Sequence, residues 1–283
     1  MVSTVDPLAS VRSRLGGSVR LLIAGDSEPR TASAPSDEGL FDADSVVRRV
    51  HQDPAMFIGG LRALLLQTLH PRAMAGVADH SDYRTDPWGR LRRTGQFLGV
   101  TTYGSAVDAH ATIDRIRRIH ERVTGVTPEG EPYSATDPHL LTWVHVTEVD
   151  SFLAAHQRYG RDHLTPADAD RYVAEMAIVA RLLGAEDVPE TVAELRSWLV
   201  GIRPELRAGG QARDAVRFLL VPPLPLVARP AYAVIAAASI GLLPGWSRRM
   251  LWLPVAPLSD PLVVRPAARA LVATLGWALD PTT

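Results

Sequence analysis

Ser105-Ala-Val-Asp-Ala-His-Ala-Thr-Ile-Asp-Arg-Ile-Arg-Arg-Ile-His-Glu-Arg-Val-Thr-Gly125 carries most of the fold in one stretch. Ser105 is a good N-cap, and Asp108 suits the positive end of a helix. Gly125 is a stop. Between them Ile113, Ile116, His120 and Val123 recur at one-turn and two-turn spacings, so one apolar face carries an imidazole inward. The spacing predicts a helix from Ser105 to about Thr124.

The same grammar extends in both directions. Ala55 to Leu69 is a strongly apolar run ending at His70-Pro71. Asp86-Pro87 starts a helix with proline in its first turn. Asp137-Pro138 caps a long helix to about Tyr159, and Thr165-Pro166-x-Asp168 caps one that ends at Gly184. Pro189 starts another, to about Val200. Val126 to Ala135, with Pro128, Gly130 and Pro132, reads as a loop. Alternating patterns bounded by tight turns are absent, apart from a weak strand candidate at Val19 to Ala24. The expected fold is all-α, a single multi-helix domain over residues 43–283, preceded by a partly irregular extension over 1–42. Within the domain, 43–200 is the motif-bearing core and 201–283 forms apolar C-terminal helices.

Composition narrows the chemistry. The chain has 283 residues and a formal net charge of −1. Neither nucleic acid nor an anionic membrane is an expected electrostatic partner. It contains no cysteine, no lysine and no asparagine, so all 30 basic residues are arginine. Schiff-base chemistry, a phosphate-loop lysine, zinc thiolates, iron–sulfur clusters and covalently attached haem are excluded. A metal here must be held by histidine or carboxylate. Met1 to Gly17 has no apolar core of signal-peptide length, so export by that route is not expected and a cytoplasmic location is. The longest clean apolar run, Ala231 to Leu243, is shorter than the ~20 residues of a membrane span. No transmembrane span is expected, while peripheral membrane contact stays open.

Two histidines compete on spacing. His120 lies on the inward face just described. His145 lies one turn from Leu141 and Val149, and is its equal by periodicity. Either is a candidate metal ligand, or a core histidine bonded to a backbone carbonyl. Trp88-Gly-Arg90-Leu-Arg-Arg93-Thr94 sets Arg90, Arg93 and Thr94 one turn apart. These are donors suited to a developing negative charge, or a solvated helix face. Asp79-His80-Ser81 and His70-Pro71 read as supporting partners of a ligand or as plain caps. A di-iron bundle needs Glu-x-x-His pairs, and none occurs; His145-x-x-Glu148 has the reverse order. A Ser–His–Asp hydrolase lacks its Gly-x-Ser-x-Gly elbow.

Taken together, Leu65-Leu-Gln-Thr-Leu-His70-Pro71, Val77-Ala-Asp79-His80-Ser81, Asp86-Pro-Trp88-Gly-Arg90-Leu-Arg-Arg93-Thr94, Arg117-Arg-Ile-His120, Tyr133-Ser-Ala-x-Asp137-Pro138 and Leu141-x-Trp143-Val-His145-x-Thr147 resemble a known domain. It is the catalytic domain shared by bacterial rubber oxygenase (latex-clearing protein) and the fungal endoplasmic-reticulum oxygenase MpaB. The resemblance implies a globin-like helical core around non-covalent haem b. It implies an iron-dependent oxygenase or dioxygenase that uses dioxygen on a hydrophobic, isoprenoid or lipid-like small molecule. The family's arginine–x–x–lysine–threonine motif falls on Arg90, Arg93 and Thr94, implied catalytic residues. Its proximal haem ligand falls on His120, with His145 and His80 as further candidates beside the cofactor. In rubber oxygenase the distal lysine can bind iron, and Arg93 replaces it here. A guanidinium has no free lone pair for a metal. That departure keeps a second class open: a non-catalytic haem or hydrophobic-ligand binding protein.

Overall fold

The computed structural model describes residues 38–254 and 260–279. The expected N-terminal extension falls almost wholly outside the described residues, and so does the strand candidate at Val19 to Ala24. Within them the chain is all-α, with twelve α-helices and one two-stranded ribbon.

The helices follow their caps. Ser45 caps α1 (Val46–His51), accepting from the Arg48 amide. α2 (Met56–Gln67) is the apolar helix expected before His70. α3 (Pro71–His80) begins on its proline. Asp86 caps α4 (Pro87–Tyr103) through the Gly89 amide at 2.8 Å. Ser105 caps α5 (Ala106–His120) through Asp108. Asp137 caps α6 (Pro138–Tyr159). A reciprocal capping box, Thr165 with Asp168, opens α7 (Pro166–Leu183), and Gly184 closes it at φ 102°, a conformation that favours glycine.

Two boundaries differ from the sequence expectation. α5 ends at His120, not near Thr124. The chain then turns through Val123, whose amide donates to the His120 carbonyl, and enters the ribbon of β1 (Thr124–Val126) and β2 (Pro132–Ser134). Gly125 pairs with Tyr133 in this ribbon, and Tyr133 occupies the space that a side chain at Gly125 would fill. Glycine here admits a close neighbour as well as stopping a helix. The second difference is α8 (Val192–Gly201), which starts after Thr191 rather than at Pro189. The Thr191–Glu194 capping box satisfies the free amides there, and it outweighs proline as a start signal.

After a 3₁₀ turn (Arg203–Glu205) come α9 (Gly210–Leu220), α10 (Arg229–Leu242), α11 (Gly245–Met250) and α12 (Arg265–Leu279). A π-helical turn, Asp260–Val264, runs straight into α12. Together they form a helix that is, by length and composition, long and apolar enough to cross a membrane. The sequence reading missed it because it sought an unbroken apolar run, and this helix includes Arg265 and Arg269. About a fifth of its apolar window is buried, including Ala268 and Val272, which share a cluster with Ala238 of α10.

The centre of the molecule is α2, packed against α6 and α10. At Gly59 the α2 and α6 backbones meet: a Cβ there would lie 2.8 Å from the Phe152 ring and 3.0 Å from the Ser151 carbonyl. Arg62, one turn on, is buried. It pairs with Asp150 at 2.7 Å and donates to Ser151 Oγ at 2.7 Å and to the Leu242 carbonyl at 3.0 Å. One guanidinium thus ties three helices, with its charge matched and its donors used. Leu65, Leu66, Leu69, Trp143 and Val146 complete the apolar centre between α2 and α6.

Candidate cofactor and active site

Beside this core is a cavity of about 280 Å³. That is at the small end of the ~300–1,000 Å³ usual for ligand and cofactor sites. α1 to α7 and the ribbon wall it. Its lining is mostly apolar, including Phe97, Leu98, Leu141, Val144 and Met176. Ionisable side chains line it as well, among them His51, Arg72, Arg90, His120, His145 and Glu148.

The two competing histidines therefore meet at one cavity. His120 stands on the last residue of α5, half-buried, with Nδ1 sealed from solvent and without a hydrogen-bond partner among the described residues. Burial lowers its pKa. His145 stands on α6, 8% exposed, and its Nε2 is likewise buried and unpartnered. Burial, with the Arg181 charge adding to it, brings its pKa down to about 4. Both imidazoles are thus neutral at pH 7 and keep a lone pair for a metal. Buried polar atoms are seldom left without partners, so these two nitrogens, on residues that line one cavity, are available to a ligand.

Of the distal motif, the cavity takes in Arg90 alone. Its guanidinium donates to Ser81 Oγ, so the Asp79-His80-Ser81 stretch steadies it. Arg93 is exposed and lies 3.5 Å from Asp86, the cap of its own helix. Thr94 is exposed and donates to the Arg90 carbonyl at 3.1 Å. His80 is exposed at the end of α3. Its Nε2 is 3.1 Å from the Thr124 carbonyl, and its ring packs edge-on against Tyr133. The adjacent Asp79 accepts from the Tyr133 hydroxyl at 2.6 Å. This segment holds the ribbon against α3; Tyr133 lines the cavity, while Asp79 and His80 do not.

Two residues that sequence reasoning did not place in the site are there. Glu148 is one turn beyond His145 on α6. It accepts no hydrogen bond among the described residues, and burial lifts its pKa from 4.5 to about 7. The i, i+3 spacing from His145 was a usable signal, set aside because its order did not fit a di-iron motif. His51 contacts Thr102 Oγ1 through Nδ1 at 2.9 Å and the Tyr172 hydroxyl through Nε2 at 3.3 Å. Burial lowers its pKa to about 3. Both its nitrogens are occupied, so it braces the wall and is a poor ligand.

The site therefore offers two neutral imidazoles, the cationic donor Arg90, a second guanidinium, Arg72, already paired with Asp137, and one carboxyl group that titrates near neutrality, in a mostly apolar cavity. Such residues can hold a metal-centred cofactor, stabilise negative charge and move one proton. Comparison with curated proteins and with solved structures returns no match. The family model described as "ER-bound oxygenase mpaB/B'/Rubber oxygenase, catalytic domain" matches residues 48–277, and the chain belongs to that oxygenase family.

Proposed function

We propose that this oxygenase uses haem b, with His120 as the iron ligand, and acts on a hydrophobic small molecule with dioxygen as co-substrate. The observation that carries the reading is the pair of buried, unpartnered histidine nitrogens at one apolar cavity. The family motif favours His120 over His145 as the ligand. The site fits the cofactor in its donor chemistry: neutral imidazole is the usual protein ligand of b-type haem.

When bound, the haem supplies oxygen activation. The protein's part is derived from its own residues. His120 holds the cofactor from the end of α5. Arg90 keeps its positive charge at the wall of a mostly apolar cavity, where it would stabilise negative charge more than in solution. Glu148, with a pKa of about 7, can give or take a proton at its carboxyl oxygen. Phe97, Leu98, Val144 and Met176 select an apolar substrate. Arg93 and Thr94 act from behind: Arg93 holds the cap of α4, and Thr94 binds the carbonyl of Arg90 itself.

Exposed apolar residues at Val221, Leu226, Val227 and Trp252 support peripheral contact with a membrane or another apolar phase, the natural source of such a substrate. The experiment that tests the reading is an absorption spectrum of the purified protein, oxidised and reduced. It is followed by aerobic turnover of isoprenoid and unsaturated lipid substrates. Haem without turnover of any substrate would favour the binding-protein reading.

A further inference from the structure

A second group of ligand-type side chains converges outside the cavity lining. His70 is the N-cap residue of α3, His139 is the second residue of α6, and Glu205 closes the 3₁₀ turn. One potential ligand atom from each lies within 4.8 Å of the other two. His139 Nε2 is 3.0 and 3.1 Å from the two Glu205 oxygens, and His70 Nε2 is 3.5 Å from Oε2. Around a tetrahedral ion with bonds of about 2.0–2.1 Å, neighbouring donor atoms sit roughly 3.3 Å apart. The histidine–glutamate separations bracket that value, and the two imidazole nitrogens lie within 4.8 Å of each other.

Three further observations favour an ion over a simple hydrogen-bonded cluster. His70 is 1% exposed, yet it makes no cap hydrogen bond, and neither ring nitrogen has a hydrogen-bond partner. A fully buried imidazole whose one polar contact is the long 3.5 Å approach to Glu205 is costly, and a bound cation would resolve it. The Glu205 and His139 side chains are 42% and 43% exposed, which gives an ion an entry path and a solvent-facing position. The rings of Trp143 and Trp198 flank the two histidines and wall the other side. Arg72 opposes a cation, since it lies 3.9 Å from Glu205. It is nearer to Asp137, at 3.0 Å. Two carboxylates against one guanidinium leave the neighbourhood with a single net negative charge.

We propose that His70, His139 and Glu205 form a binding site for one divalent transition-metal ion of the zinc class, distinct from the cofactor cavity. Two imidazoles and one carboxylate suit zinc, with water in the fourth position. The ion joins the start of α3, the start of α6 and the 3₁₀ turn. The first turns of α3 also carry Arg72, Ala73 and Gly76 into the cavity wall, so the ion fixes that wall. The proposal stands independently of haem.

The test uses the full-length protein as purified, treated with chelator to remove loosely held metal and then titrated with zinc against a competing chromophoric chelator. Haem content is measured in parallel. One tight zinc equivalent is expected, with a higher thermal midpoint in zinc but not in magnesium. His139→Gln and Glu205→Gln change partly exposed residues. Each is expected to weaken zinc binding at least ~100-fold, beyond the usual cost of losing a supporting partner, with haem content unchanged. Zinc-edge X-ray absorption of the wild-type complex is expected to show two imidazole nitrogens and an oxygen shell, whether or not a variant folds. Absence of a tight equivalent in the wild type, wild-type affinity in both variants, or a zinc shell without two imidazoles would each overturn the proposal.

Discussion

His145 and Glu148 stand one turn apart on α6 and open into the same cavity, one held neutral and the other poised to ionise. Burial acts on both, in opposite directions of pKa, because it disfavours whichever form is charged. The cavity therefore has a nitrogen that stays unprotonated and a carboxyl that changes state near pH 7. That pairing makes the site a candidate for metal-assisted chemistry with one proton transfer.

Glu148→Gln tests the carboxyl through stability. Its folded pKa of about 7 lies above the ordinary 4.5. The native state thus pays no penalty below pH 4.5, loses stability as the pH rises from there, and reaches its full loss above pH 7. Glutamine removes the charge. The variant should be about as stable as wild type at pH 4 and more stable at pH 8, by at most about 3 kcal/mol at ~1.4 kcal/mol per pKa unit. Chemical denaturation at both pH values measures this. A stability difference that does not change with pH would contradict the assignment.

Arg90 and Arg93 should separate cleanly. Loss of a charged donor in a catalytic cavity typically costs ~10²–10³ in rate, so Arg90→Ala should lose turnover to that extent while retaining cofactor. Arg93→Ala removes an exposed ion pair and should shift stability by no more than about 0.5–1 kcal/mol, with turnover within a few fold of wild type. Steady-state rates and thermal midpoints, taken side by side, decide it. Equal losses of turnover in the two variants would mean that Arg93 also reaches the reacting groups.

Asp150→Ala should be among the most damaging substitutions away from the cavity. It leaves the buried Arg62 guanidinium without its counter-charge, which typically costs about 3–5 kcal/mol. In a chain of this size that is a fall in thermal midpoint of roughly 6–20 °C. The double variant Asp150→Leu with Arg62→Met should recover part of the loss. A midpoint unchanged by Asp150→Ala would show that water, not Asp150, satisfies the guanidinium.

Much of the fold was legible because its helices announce themselves locally. Asp86-Pro87, Ser105-x-x-Asp108, Asp137-Pro138 and Thr165-x-x-Asp168 mark starts that the structure keeps, and Gly184 marks a stop. The ribbon was not legible. Its strands are three residues each, one contains a proline, and its cause is the fit of Tyr133 against Gly125 across the pair. In the site, periodicity found His120 and His145 because an inward imidazole shows in the helical repeat. The same periodicity set Arg90 and Arg93 on one face. Which of them reaches the cavity depends on how α4 rolls against α1 and α5, and that is a tertiary matter. Glu148 drew attention only for its spacing from His145, since its burial depends on α7, and Met176 is 28 positions later. His70 with Glu205 is more remote still, 135 positions apart.

The central claim is that His120 holds haem b in this cavity. The most direct measurement is the haem-to-protein ratio and Soret spectrum of purified wild type and His120→Ala, with His145→Ala beside them. The account predicts close to one haem per chain in the wild type, most of it lost in His120→Ala, and most of it kept in His145→Ala with an altered band. Full retention of haem and an unchanged spectrum in His120→Ala would contradict it.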